Sequence, residues 1–424
     1  MATADHNREK TGSCMITRSD IQMDNRFGAK RFRWFFTGIA VAVLTATVPA
    51  HGQGDATTAG PIEGRQSIDH SFRMEVLNSI NKATGWLASV QNEGGFWSQA
   101  EYPALTGLVL MAFAGEPSGK AVQKHQNVVD RGYGYLLSSI QADGGIYNTD
   151  APAPLENYNT AVCLTALVFA NRPELDPHIL RARNYLVGLQ NAGGVGYNKT
   201  GSSDLSNTVL ALEALHYSRN HVQRDRSPEL EAVKDLDWKA AIEFIESCQN
   251  LPEVNTREWV SSAPEDRGGF VYSPTESKAG ERTVEGTDGK EQTALRSYGS
   301  MTYAGLLSYI YADLEKSDPR VTAAADWLRS NYSLEENPGM GEQGLFYYYH
   351  LMAKALNAYC EDKPLQLKDG STVQWRRDLA LRLLSLQDGA TGSWVNENGR
   401  WWEKDPVLVT AYATIALEIL YRGL

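Results

Sequence analysis

Apolar residues recur along the chain with two alternating textures. Met74, Leu77, Ile80, Trp86, Leu87 and Val90 fall at threes and fours, which predicts an amphipathic helix with one buried stripe. Similar patterns run over about 126–140, 177–190, 236–249, 319–331 and 373–387. Between them lie stretches that are apolar all round, at 104–115, 158–171, 206–217, 301–313, 346–360 and 408–421. A helix apolar on every side is buried on every side. Six of each kind in strict alternation predict two concentric layers of helices, with the apolar set inside.

Glycine-rich turns ending in an aromatic residue punctuate this pattern five times. They begin at Gln91, Gln141, Gln190, Asp266 and Gln387, and the first three repeat about every fifty residues. A period of that length marks stacked supersecondary units. Glycine permits a left-handed backbone after the preceding helix, and the aromatic side chain can then pack on the next unit. The repeated aromatic rings are therefore read as structural. Six antiparallel pairs can close on themselves and so bury the ends that an open solenoid must cap. The predicted fold is all-α: an α/α toroid of six helical hairpins over residues 70–424.

Two segments interrupt the alternation. Residues 53–69 are rich in Gly, Thr and Ala and read as a flexible linker. Residues 250–297 form a long insertion within the fourth hairpin, of which 275–292 read as disordered. Upstream, Lys30-Arg-Phe-Arg33 precedes an apolar run from Trp34 to Val48, followed by small residues to Gly52. That layout predicts a secretory signal over residues 1–52, cleaved near Gly52, with translation starting at Met1, Met15 or Met23. The run of 15 residues falls short of a bilayer span, so the mature chain is expected to be exported without a transmembrane segment.

Charge narrows the partners. The 424 residues carry a formal net charge of −11. Residues 1–52 hold seven basic and four acidic side chains, leaving 33 and 47 in the remainder, a net of −14. An acidic body repels phosphate backbones, which argues against a nucleic-acid partner. Cys163, Cys248 and Cys360 lie in apolar helical stretches without metal-ligand spacing and read as small buried hydrophobes. No cofactor or metal is implied.

The helical alternation and the Gln-x-x-x-Gly-x-Trp-like turns resemble the squalene–hopene cyclase and protein prenyltransferase β-subunit superfamily. The stretches Tyr298–Gly305, Asn337–Gly344, Tyr347–His350 and Trp401–Asp405 are similar to exported prenyltransferase/squalene-oxidase-repeat proteins of planctomycete-type bacteria. The resemblance implies a toroid whose inner-helix N-termini surround a central cavity. Cyclases of the superfamily protonate an alkene with the middle residue of an Asp-x-Asp-Asp-Thr motif. The matching stretch here is Asp204-Leu-Ser-Asn-Thr208, with Ser206 at the donor position and Asn207 beside it. Neither side chain is an acid strong enough to protonate a double bond. Gly339-Met-Gly-Glu-Gln343 likewise matches the complement-type thioester sequence except for its essential cysteine.

Candidate chemistry therefore rests on other residues. Thr106, Thr160, Thr208, Thr302 and Thr410 each open an inner helix and read as N-terminal caps. Asp204, His350 and Asp405 are the candidate catalytic groups, with His350 as a general base if either carboxylate lies within reach. Tyr158, Asn159, Asn207, Tyr298, Tyr303, Tyr348 and Trp402 are the candidate ligand-binding residues. Adjacent tryptophans at 401 and 402 either fold over the rim or meet a ligand. The expected function is binding or processing an isoprenoid or other lipid in an aromatic-lined cavity, without the standard proton donor. The alternatives are a non-catalytic ligand- or protein-binding toroid and, third, a polysaccharide-acting enzyme. A solid core would exclude the first.

Overall fold

The computed structural model describes residues 62–224, 235–285 and 291–424. The expected signal segment, and the expected linker as far as residue 61, lie outside the described residues. The outer helices are α1 (Ile62–Ser89), α4 (Gln126–Ser138), α6 (Asp176–Val187), α8 (Trp238–Glu246), α10 (Pro319–Ser330) and α12 (Trp375–Leu386). The inner helices are α2 (Pro103–Gly115), α5 (Glu156–Ala170), α7 (Leu205–Arg224), α9 (Gly299–Tyr311), α11 (Leu345–Cys360) and α13 (Pro406–Tyr421). A short α3 (Lys120–Lys124) links α2 to α4. Among the described residues, no helix is long and apolar enough to cross a membrane.

Each inner helix packs on the next in the order α2, α5, α7, α9, α11, α13, and α13 packs back on α2. The toroid is closed. Burial separates the layers as the two textures predict: α13 is buried at every position from Val407 to Leu420. On α1 the buried stripe is Phe72, Val76, Ile80, Ala83 and Leu87. Met74, expected on that face, is instead 41% exposed, because it falls between the fourfold steps of the true stripe.

The repeat turns do the joining. Gln91 Nε2 donates to Gly95 O (2.9 Å) in its own turn and to Val128 O (2.8 Å) on the next outer helix. Gln190 bridges Gly193 and Asp237 in the same way, and Gln387 bridges Gly392 and Ser79. That last bridge ties the end of the chain to α1. Gly95 shows why glycine is required: its φ is +85°, and a Cβ would lie 2.6 Å from the Arg131 carbonyl oxygen. In the fourth hairpin the bridging side chain is Gln249, which reaches Gly268 O and Arg320 O (3.0 Å each). Its glycine lies 19 residues on, inside the insertion, so no contiguous motif joins the two.

The inner-helix threonines have a different partner from the one expected. Thr106, Thr160, Thr208, Thr302 and Thr410 each accept from a turn amide, those of Trp97, Ile146, Val195, Phe270 and Trp394, at 2.9–3.1 Å. They fasten turn to inner helix rather than capping their own helix.

The insertion is also more structured than its composition suggests. β1 (Glu281–Glu285) and β2 (Glu291–Leu295) pair antiparallel, with Thr283 opposite Thr293. Buried polar groups root this arm. Asp266 accepts from Arg282 Nη2 (2.8 Å) and Ser297 N (3.0 Å), while Asn250 Nδ2 donates to Leu295 O (2.9 Å). Asp266 Oδ2 and Arg282 Nε stay unpartnered among the described residues, but the remaining bonds hold the arm, and composition does not report partners.

Candidate functional site

The inner helices converge on an axis that side chains fill. Tyr158 of α5 and Tyr412 of α13 meet hydroxyl to hydroxyl at 3.3 Å. Tyr347 of α11 packs on Tyr412, with ring centroids 5.8 Å apart, and its hydroxyl lies 3.3 Å from Ser206 Oγ. Tyr412 thus links the other two rings at the axis, where Tyr158 and Tyr347 are half-buried. The His350 ring lies 4.9 Å from Tyr412. One turn further, Lys354 Nζ pairs with both oxygens of Glu213, at 2.7 and 3.0 Å. The remaining cavity has a volume of about 20 Å³.

That volume holds one water molecule and little more. Pockets for drug-sized ligands enclose roughly 300–1,000 Å³. Side chains narrow the axis to that volume, with Tyr158, Tyr347 and Lys354 half-buried around it, and Tyr158 pairs with Tyr412 as Lys354 does with Glu213. Burial raises the Tyr158 phenol to about 12 and pushes the Tyr347 and Tyr412 phenols higher. Burial, aided by the Lys354 charge, holds the His350 imidazole well below its usual range, so it is neutral at pH 7. Its Nδ1 has no hydrogen-bond partner among the described residues.

The candidate catalytic residues stand apart. Asp204 caps α7, accepting from Asn207 N and Asn207 Nδ2 (2.8 Å each). Burial raises its carboxyl to about 6, against the opposing pull of those hydrogen bonds. Asp405 caps α13 by accepting from Val407 N (2.8 Å), and Ser98 Oγ donates to its other oxygen. Helices α7 and α13 are three places apart in a toroid of six, so the two carboxylates lie on opposite sides. Neither pairs with His350. The charge that acts on His350 is Lys354, a cation on its own helix.

The candidate binding residues divide similarly. Tyr158 lines the axis. Asn159 is buried and caps α2, its Oδ1 accepting from Ala104 N at 3.0 Å. Asn207 is committed to Asp204. Tyr298 precedes α9 and is 2% exposed. Tyr303 and Tyr348 pack with tilted rings 5.5 Å apart, and the Tyr348 hydroxyl donates to Ser333 O (2.9 Å) beyond α10. Both are wall residues rather than axial ones. Tyr347, Tyr412, Glu213 and Lys354 were missed. A signal for part of this set was present, because Tyr347, His350 and Lys354 follow the spacing i, i+3, i+7 of a single helix face.

Trp402 behaves unlike every residue above. It and Trp401 are each 42% exposed, and both adopt positive φ, +66° and +54°. Trp402 meets Tyr102 edge-on at 4.6 Å, and Arg400 lies 4.3 Å over the Trp401 ring. The next residue, Glu403, is 1% exposed and accepts from Tyr347 N (2.8 Å), Phe346 N (3.3 Å) and Asn396 Nδ2 (2.7 Å). One carboxylate thus caps the start of α11 and anchors the tryptophan loop. Burial raises its pKa, partly offset by these donors.

No protein-family model matches the chain, and no curated protein matches it in sequence. Among solved structures it is similar to the type II terpene cyclase MstE from Scytonema. The apo form is 13% identical with a TM-score of 0.48, over 82% of this chain and 99% of that one. A form in complex with geranylgeranyl dihydroxybenzoate as substrate is also 13% identical with a TM-score of 0.48, over 84% and 99%. The likeness is one of helical fold. The assignment of a toroid stands on the closed succession of inner helices in this chain itself.

Proposed function

We propose that this chain is a non-catalytic binding toroid that presents its rim to a ligand and holds its axis closed. The observation that carries this reading is the filled axis. Tyr158, Tyr347 and Tyr412 meet there, the Glu213–Lys354 pair and His350 line it, and about 20 Å³ remains. An isoprenoid would have to displace the tyrosine layer and strip hydrogen bonds from buried groups, each of which costs on the order of 1–3 kcal/mol to leave unpaired. Ser206 supports the same reading. It holds the donor position of the motif that Asp204–Thr208 resembles, and its hydroxyl is paired with that of Tyr347.

We further infer that the chain works outside the cytoplasm after cleavage near Gly52, on the strength of the basic, apolar and small-residue succession from Lys30 to Gly52. N-terminal sequencing of the protein from its source should begin close to residue 53. Native mass spectrometry of the same material tests the closed axis, with no stoichiometric lipid expected. A lipid retained one-to-one would overturn the reading and restore the isoprenoid function.

A further inference from the structure

Resting on the binding-toroid reading, we propose that Trp401 and Trp402 form a carbohydrate platform that stacks the C–H faces of pyranose rings in a neutral oligosaccharide. The backbone is the first argument. Two consecutive non-glycine residues hold left-handed φ, and Ser98, which bonds Asp405 across the same corner, holds +57°. Each such residue costs about 1–3 kcal/mol and persists only where the surroundings over-determine it. Here they do: Glu403 is buried under three donors, Asp405 N donates to Trp402 O at 2.8 Å, and Asn396 Nδ2 donates to Glu342 O at 2.8 Å. The effect of that strain is to keep two indoles exposed.

The rings are exposed but fixed. Trp401 lies so close to Gly344 that a Cβ there would be 3.0 Å from its ring, and Trp402 is braced on Tyr102. Rings that are already immobile lose little conformational entropy on binding, which favours a weak ligand of repeated units. Their surroundings select the class. Arg400, Lys404 and Glu397 are exposed and Asn398 and Asp405 are half-buried, so two basic and two acidic groups flank the indoles. A mixed border gives no net field to recruit an anionic bilayer or nucleic acid. It does supply donors and acceptors at the height of sugar hydroxyls, beside an apolar face that suits the sugar's C–H groups.

The test titrates the intact chain with two neutral hexasaccharides, a β-1,4-glucan and an α-1,4-glucan, followed by tryptophan fluorescence and calorimetry. Saturable binding of at least one is expected. Trp402→Ala and the double variant Trp401→Ala/Trp402→Ala should weaken it by about tenfold or more, and Trp402→Phe should retain most of it. Thermal midpoints within a few degrees of the parent should show that the variants fold. Absence of saturable binding to either sugar overturns the proposal, as does unchanged affinity in the double variant. Binding of the chain to phosphatidylcholine vesicles that is lost in the double variant also overturns it, in favour of a membrane contact. None of these failures touches the closed axis, which the lipid measurement reads separately.

Discussion

Trp394 and Trp401 lie seven residues apart in the connection between α12 and α13, yet the fold treats them oppositely. Trp394 ends a repeat turn. It is 1% exposed, its indole donates to Leu383 O at 2.8 Å, and its backbone amide is held by Thr410. Trp401 is 42% exposed on a left-handed backbone, and Trp402 repeats the arrangement. The first ring contributes to stability by burial with its polar atom satisfied. The second pair is displayed at a conformational cost. Aromatic residues in one loop can thus be sorted by their burial, their N–H partner and their φ, and only the displayed pair has the marks of a surface used for something else.

The sharpest way to break this contrast is to truncate the buried member. Trp394→Ala should destabilise the fold by about 3–5 kcal/mol, since it removes a large core side chain and leaves a cavity where the turn meets α13. Chemical denaturation checks it. A loss below about 1 kcal/mol would mean that the repeat aromatics do not hold the hairpins together.

A second contrast opposes two rim carboxylates. Asp405, beside the tryptophans, is half-buried, whereas Asp204 is 3% exposed across the toroid. Burial sets the folded pKa of Asp204 at about 6, above the 3.8 of an unperturbed Asp. The fold therefore disfavours the ionised form. That penalty is absent below about pH 3.8, grows between pH 4 and 6, and is fully present at pH 7, where it reaches up to about 3 kcal/mol. Asp204→Asn should flatten the fall in stability across this window relative to the parent. Parallel pH–stability curves for parent and Asp204→Asn would refute the assignment.

Closure of the toroid provides a smaller effect. Gln387 Nε2 reaches Ser79 O (3.1 Å) on α1, and Ser79 Oγ donates to Gln387 Oε1 (2.7 Å). Gln141 keeps its Nε2 within its own turn, on Ser139 O and Tyr147 O. Gln387→Ala should cost about 1–2 kcal/mol, and Gln141→Ala less, because only the former leaves groups on another helix unpaired. Equal losses from the two variants would show that the bridge to α1 carries no special weight.

Much of this architecture was legible in the residues. Periodicity of 3.6 separates half-buried from fully buried helices, so the six inner and six outer elements, and the closed all-α toroid, follow from local pattern. The site was much less legible. Gln249 is 19 residues from its glycine, which lies within the insertion, so its bridging role exists only in three dimensions. Among three consecutive tyrosines, choosing Tyr348 over Tyr347 turned on a rotation of about 100° around α11, which the Tyr347–His350–Lys354 spacing resolves once it is sought. The volume of the axis was beyond pattern altogether. Apolar inner faces are compatible with a lipid tunnel or a packed core, and only the way Tyr158, Tyr347 and Tyr412 interlock distinguishes them.

The smallest effect is the one that tests the displayed pair most directly. If the fold holds Trp401 and Trp402 in strained positions for a purpose other than stability, glycine at either position should relieve strain that non-glycine residues bear at φ +54° and +66°. Opposing that gain, the indoles would no longer pack on Arg400, Gly344 and Tyr102, and glycine has greater freedom in the unfolded chain. The two sides are similar in size, so Trp401→Gly and Trp402→Gly should each fall between neutral and about 1 kcal/mol more stable. Thermal and chemical denaturation of the single variants measure this. A loss greater than about 1 kcal/mol in either would place that tryptophan with Trp394, as a structural ring that happens to reach the surface.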